Sequence, residues 1–476
     1  MMNPTQNVLS IFEKLSAVPR SSGHEDKIAH WLKNFASEHG YSSQMDEVGN
    51  LVIRVPATAG RENAPTVVLQ GHMDMVCEKT PDSLHDFDVD PIRVIQDGDW
   101  VHADHTTLGA DDGIALALAL ALVTDPAVSH PNLELLFTVD EEVGLSGAKS
   151  MKPGFIQGKY LVNLDSEAEG TFIVGCAGGV TAHITLPLHF RPPSQSSGFQ
   201  IKVGGLRGGH SGVDVHKHLA NANKLLVRML DHLNHLTPLS LISLKGGTAH
   251  NAISRSAFAA FLCASDKAEE VVQATLEFAG TLKAEYLPTE KEITISITPL
   301  EPEWALPEID SARILQLLMA LPNGVQEMSA TVTGFVETSC NLAGIVTSDT
   351  QLSVVSSQRS TVMSRLDEIT GRIVSIASLA GAEVSLSNGY SAWQPDLKST
   401  LLRKCKEVYR KEFNRNPKVS MIHAGLECGT IGSFYPGMEM VSVGATIENP
   451  HSPDERMYIP SIEKVWTFLV ALLQGI

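Results

Sequence analysis

Residues 106–113 read Thr-Thr-Leu-Gly-Ala-Asp-Asp-Gly, and the ten residues behind them, 114–123, are all apolar. That run alternates Leu and Ala, a spacing that imitates a strand. Both are strong helix formers, however, and a helix apolar on every side is a buried one. Asp111 and Asp112 therefore open a helix that runs through the interior, with no Lys or Arg close by in sequence. A buried carboxylate is costly unless a cation satisfies it. A helix cap is the ordinary alternative, since Asp caps helices well. The company Asp111 keeps decides between the two.

Four further acid or histidine positions fall at or just past the ends of apolar, strand-like runs. The run 66–70 leads into Gly71-His72-Met73-Asp74. A His-x-Asp there can aim a neutral imidazole at a metal, with the Asp orienting the ring. A histidine satisfied within a turn is the commoner outcome for a lone His-x-Asp. The run 133–139 enters Asp140-Glu141-Glu142, where neighbouring acids repel without a cation. One could be a ligand and the next a general base of raised pKa, although acids at a helix start also favour its dipole. The run 160–164 ends at Asp165, and a strand over 439–444 leads to the loop holding His451. In an open α/β sheet the carboxyl ends of strands form the ligand crevice. One such residue is noise, but the series is a site.

At 476 residues the chain exceeds one ordinary core, so two or three domains are expected. A formal charge of −18 argues against nucleic acid or an anionic membrane as partner, because a phosphate backbone needs a basic surface. Glu13 and Lys14 interrupt the apolar pattern of the first twenty residues, which reads as an amphipathic helix and not a signal peptide. The longest apolar run is too short to span a bilayer. Six scattered cysteines with no Cys-x-x-Cys pair suggest reduced thiols in a cytoplasmic enzyme.

Helices are expected over 7–18 and 25–39. A glycine-rich hinge at 175–179 marks where the chain leaves the first domain, followed by a polar, loop-like stretch at 192–198. Residues 200–298 follow a β-α-β-β-α-β order, with helices at 216–233 and 267–286 and a strand at 252–264, which suggests a ferredoxin-like sandwich. A related but incomplete order recurs over 311–386. Within this insert, Gly208-Gly209-His210-Ser211-Gly212 sets a histidine in a turn where backbone can approach a ligand, although an exposed turn reads equally well. Asn251 precedes a strand, and Arg359 ends one in a segment poor in arginine. Arg grips a carboxylate bidentately, although a surface salt bridge is the default for a single Arg. After 391 the chain resumes with a helix at 397–413 and closes with one at 462–473.

Imidazole mixed with carboxylate suits a pair of divalent transition metals, zinc foremost, with cobalt or manganese as alternatives. In this light the motifs Gly-His72-Met-Asp74, Leu-Gly-Ala-Asp111-Asp112-Gly, Glu141-Glu142-Val-Gly, Asp165-Ser-Glu, Gly-Gly-His210-Ser-Gly and His451-Ser-Pro-Asp-Glu-Arg resemble the co-catalytic di-zinc peptidases related to aminoacylases and glutamate carboxypeptidase. The resemblance is colinear over essentially the whole chain. Its fullest match is to the subgroup that cleaves Xaa-His dipeptides, through Gly-Cys176-Ala-Gly-Gly and His423-Ala-Gly-Leu-Glu427-Cys-Gly. The resemblance implies an α/β catalytic domain over 1–178 and 391–476, with a mostly parallel mixed sheet flanked by helices. It also implies an inserted α+β lid over 179–390, built of two sandwich-like halves. His72 and Asp165 would bind one zinc, Glu142 and His451 the other, and Asp111 would bridge them across a non-proline cis peptide to Asp112. Glu141 would be general base and acid, and Asp74 would orient His72. His210 would polarise the scissile carbonyl, Asn251 and Arg359 would hold the substrate carboxylate, and Glu427 would be a further substrate contact. A small peptide is the implied substrate and a homodimer the implied assembly. A sibling tripeptidase or N-acyl amino acid deacylase is the alternative activity.

Overall fold

The computed structural model describes residues 3–193, 196–301, 304–330 and 332–476. The chain divides into two compact units. The first comprises residues 1–176, 393–422 and 426–476, and the second comprises residues 177–392 and 423–425.

The first unit is built on an eight-stranded sheet, in the order Ser42–Met45, Leu51–Val55, Leu133–Thr138, Val67–His72, Tyr160–Asn163, Glu439–Ser442, Thr171–Cys176 and Lys418–Ile422. Its centre is parallel: Val67–His72 pairs in parallel with both Leu133–Thr138 and Tyr160–Asn163, which pairs in parallel with Glu439–Ser442. All six residues of each of the first two strands are buried, as expected of a sheet covered on both faces. The run behind Asp112 forms the helix Ala110–Thr124, buried from residue 110 to residue 123. It packs against Val67–His72 and against the N-terminal helix Pro4–Ser16, which Asn3 caps through its side chain. Burying a Leu side chain is worth roughly 1.5–3 kcal/mol, so this helix supplies much of the unit's cohesion. Its first turn is irregular. Gly109 precedes it at a left-handed φ of 66°, and the Asp111–Asp112 peptide is cis. A second, four-stranded sheet runs Ile447–Glu448, Arg456–Tyr458, Trp100–Ala103, Val94–Asp97, and the turn between its first two strands carries His451.

The second unit is a nine-stranded sheet made of two ferredoxin-like halves, with the ninth strand, Gly324–Met328, pairing with Val336–Thr347 off the main order. One half orders its strands Thr294–Leu300, Ser196–Gly204, Ala257–Ala264, Ser240–Gly246, all neighbours antiparallel. The other orders Val336–Thr347, Gln351–Ser360, Gly178–Pro187, Glu383–Tyr390. Ser240–Gly246 joins the halves by pairing with Val336–Thr347. The second half is thus complete once Gly178–Pro187 is recognised as its first strand, and the first half is nested inside it. Arg191 and Ala305 exchange two backbone hydrogen bonds of 2.9 and 3.1 Å where the chain enters and leaves the nested half.

Four local expectations change. The helix expected over 216–233 is Ala222–Leu236, because His218 turns left-handed and Asn221 caps the helix by accepting from Asn223 N at 2.9 Å. The strand expected over 252–264 is two pieces, Ala252–Ile253 and Ala257–Ala264. The stretch expected as loop over 192–198 becomes strand at Ser196, with residues 194 and 195 outside the described ones. The glycines at 178 and 179 begin a strand rather than extending a hinge.

Candidate metal centre

His72 is the last residue of its strand and points Nε2 at the mouth of the buried helix. That nitrogen lies 3.2 Å from Oδ1 of Asp111 and 3.7 Å from Oδ1 of Asp165. The other oxygen of Asp111 is 3.1 Å from Nε2 of His451, which is also 3.0 Å from Oε1 of Glu142. Asp111 therefore stands between two imidazoles, one oxygen to each, and each imidazole has a second carboxylate beside it. Five residues separated by up to hundreds of positions meet because three parallel strands end on one edge of the sheet and the His451 turn arrives from the smaller sheet.

Asp74 is fully buried and has every bond accounted for. Its Oδ1 is 3.2 Å from His72 Nδ1 and accepts from Glu141 N at 3.0 Å; Oδ2 accepts from Ser22 Oγ at 2.7 Å and Glu142 N at 3.2 Å. One carboxylate thereby fixes both the His72 ring and the acid-bearing loop. Burial alone would raise its pKa, but the His72, Ser22 and backbone donors hold it low. Asp112 accepts from His72 N at 3.1 Å, beneath Gly71, where a Cβ would come within 2.5 Å of its Oδ2.

The electrostatics are those of an acid cluster wanting positive charge. Burial pushes Glu141 well above the carboxylate range, with Asp165, Glu142 and Glu427 adding repulsion, and raises Asp165 to about 6. The Asp111 and Glu142 carboxylates beside its ring raise His451 to about 11. Burial would lower His72, yet Asp111, Asp165 and Asp74 carry it well upward. Asp111 stays low against the pull of burial because both imidazoles donate to it.

The residues fit a divalent metal pair. Oε1 of Glu142 is buried without a hydrogen bond although an imidazole nitrogen is 3.0 Å away, which is how two donor atoms sit when both face one ion. Ligand atoms of His72, Asp111 and Glu142 come within 4.8 Å of one another, as do those of His72, Asp112 and Asp165. The second grouping takes Asp112 where the resemblance has Asp111. We favour Asp111, because Asp112 is already committed to the backbone of its neighbouring strand.

Glu427 opens the helix Glu427–Phe434 and is completely buried. Its Oε2 accepts from Gln70 Nε2 at 2.6 Å and Thr138 Oγ1 at 2.7 Å, while Oε1 has no hydrogen bond, and burial lifts its pKa to about 7. His210, Asn251 and Arg359 belong to the second unit. Nδ1 of His210 accepts from Val213 N at 2.9 Å and Gly212 N at 3.2 Å. Arg359 is 7 % exposed, donates from Nη1 to Tyr390 Oη and keeps a buried Nε without a hydrogen bond. A Cβ on Gly212 would fall 3.1 Å from the His210 ring and 3.2 Å from Arg359 Nε, so the two side chains flank one glycine. Sequence reasoning overlooked Arg20, which is 2 % exposed and bonded to the backbone around both His72 and Asp111. No motif signals it, because only the fold brings it there.

Comparison with known proteins agrees with this chemistry. A match to peptidase family M20/M25/M40 spans residues 68–475. A cytosol non-specific dipeptidase of Escherichia coli is 41% identical over 475 residues, covering 99% of this chain and 98% of that protein. The crystal structure of an aminoacylhistidine dipeptidase from Vibrio alginolyticus superposes with a TM-score of 0.89 at 38% identity, covering 99% of this chain and 96% of the other. A tripeptidase from Staphylococcus aureus shares the fold, with a TM-score of 0.58 at 17% identity over 100% and 99% of the two chains. Carrying the family's signature from the first ligand strand to its last helix, this chain belongs to peptidase family M20/M25/M40, hydrolases that act on peptide bonds.

Proposed function

We propose that this protein is a metal-dependent dipeptidase that takes Xaa-His dipeptides among its substrates, with two zinc ions as the working metals. The observation that carries the reading is Asp111, whose two oxygens face two different imidazoles at 3.2 and 3.1 Å. His72 and Asp165 would hold one ion, Glu142 and His451 the other, and Asp111 both. Bound there, a metal pair supplies a hydroxide at neutral pH and polarises a carbonyl. The chain's own residues do the rest. Glu141, its carboxyl raised by burial among acids, is suited to take a proton from the attacking water and return it to the leaving amine. Asp74 keeps the His72 ring in register and the Glu141 backbone within reach. His210 would polarise the scissile carbonyl, with Asn251 and Arg359 gripping the terminal carboxylate. Glu427 would meet substrate through Oε1, its one oxygen without a hydrogen bond.

An arginine that grips the substrate's carboxyl end, with the acidic cluster drawing its free amine, would favour free dipeptides over dipeptide amides and longer peptides. Two relatives similar over nearly the whole chain bear names that differ in specificity, one non-specific and one for aminoacylhistidine. A panel of free dipeptides, dipeptide amides and tetrapeptides therefore tests the reading on zinc-loaded protein. Free dipeptides, Xaa-His included, should be cleaved at least tenfold faster than their amides, since a missing charge-assisted bond costs roughly 1.5–3 kcal/mol. Equal cleavage of amides or tetrapeptides would sink the proposal.

A further inference from the structure

We propose that Arg20 and Glu455 are positioning residues that lock the backbone on either side of the metal ligands, and that they set metal affinity. This rests on the metal reading above.

Glu455 is 1 % exposed, and its carboxylate accepts four consecutive backbone N–H groups. Oε2 takes Leu108 at 2.7 Å and Gly109 at 2.9 Å; Oε1 takes Ala110 at 2.8 Å and Asp111 at 3.2 Å. These are the donors that a helix start leaves without partners. Because Glu455 lies four residues after His451, one side chain couples the turn bearing one ligand to the backbone bearing another. Arg20 grips the opposite side of that backbone. Its Nη1 donates to Met73 O and Asp74 O, both at 3.0 Å, and its Nη2 donates to Gly109 O. The first two carbonyls belong to the loop that follows His72. Arg20 thus ties the His72–Asp74 segment to the Asp111 segment, and Glu455 ties the Asp111 segment to His451.

The fit leaves no slack. A Cβ at Gly109 or at Gly113 would approach Arg20 Nη2 to 2.6 Å. The geometry also resolves an electrostatic oddity. A guanidinium beside the positive end of a helix is unfavourable by itself. It is balanced by the Glu455 carboxylate, which sits on the same four residues, and by Asp74 and Asp112 nearby. A buried Arg and Glu that merely filled space would not each spend all their bonds on the backbone of ligand-bearing segments.

The substitutions Glu455→Gln and Arg20→Lys separate positioning from packing. The first keeps shape but sets an amide N–H against backbone N–H groups; the second keeps charge but cannot reach three carbonyls at once. Full-length variants, with Leu473→Ala as a core control in the same unit, would be titrated with zinc against a chromogenic chelator. Thermal melting of each and kcat and KM on a free dipeptide complete the set. Both variants should bind zinc ten- to a hundred-fold more weakly, the magnitude usual for residues that orient ligands. Their kcat should fall with KM little changed, and excess zinc should restore part of it. Leu473→Ala should melt earlier yet bind zinc like the parent. Parental zinc affinity in both variants would overturn the proposal, and Arg20→Lys decides alone if Glu455→Gln does not fold. A parent that binds no zinc would instead refute the metal reading itself.

Discussion

At the scale of single residues the site works by denying acids their water. Glu141 shares its loop with Glu142 and its surroundings with Asp165 and Glu427, and burial is the largest influence on its carboxyl. A side chain so raised can hold a proton in one step and release it in the next. Glu141→Gln should therefore lose about 10²–10⁴-fold in kcat, the range for a positioned acid–base group, while still loading metal to the parental stoichiometry. Stopped assays paired with metal analysis check this, and parental turnover would remove Glu141 from the proposal. The residues proposed as ligands are readable in the sequence because most of them border an apolar run: His72, Glu142 and Asp165 come where one stops, and Asp111 where one begins. Arg20 and Glu455 gave no such sign. Arg20 lies in a loop between two helices, and its partners are carbonyls 53 to 89 residues away, which no local pattern encodes.

At the scale of elements, the same rule sorts what could be read from what could not. The helix Ala110–Thr124 was plain because it is apolar all round, and the parallel strands were plain because both their faces are buried. Val336–Thr347 escaped notice because Ser, Cys and Asn interrupt it and its register shifts between Leu342 and Gly344. Gly178–Pro187 escaped because two glycines open it. Away from the metal centre, the helices Thr400–Phe413 and Ile459–Gly475 are pinned to the sheet by Glu169. Its carboxylate accepts from Tyr409 Oη at 2.6 Å and Arg415 Nη2 at 2.8 Å, with Lys464 Nζ at 3.4 Å. Burial would raise its pKa, but these donors prevail and hold it below the usual value of 4.5. A lowered acid contributes stability above its unfolded pKa and loses it as pH falls through the folded one. Glu169→Gln should therefore cost stability at pH 7 and little near pH 3, with the difference closing below about 4.5. Half-exposed Arg415 limits the effect to about 1 kcal/mol. Urea unfolding at the two pH values measures it, and equal losses at both would refute the assignment.

At the scale of the whole molecule, among the described residues the main strand order of the second unit's sheet ends at Thr294–Leu300 on one side and Glu383–Tyr390 on the other. Such edges invite another strand unless something covers them. We expect a homodimer, so sedimentation should return about twice the 51.3 kDa of one chain. A monomer at micromolar concentration would count against it. The nesting of one sandwich in the other has a separate consequence, for synthesis. Strand Gly178–Pro187 leaves the ribosome early, but its partners Gln351–Ser360 and Glu383–Tyr390 come only after residues 188–350 have been made. At roughly 5–20 residues per second that strand waits about 8–30 seconds with both edges open. The nested half needs no such delay, since its entry and exit close on each other at Arg191 and Ala305. It can finish folding while its host is still an incomplete sheet, and the stretch most in need of a chaperone during translation is therefore the ten-residue first strand of the host half.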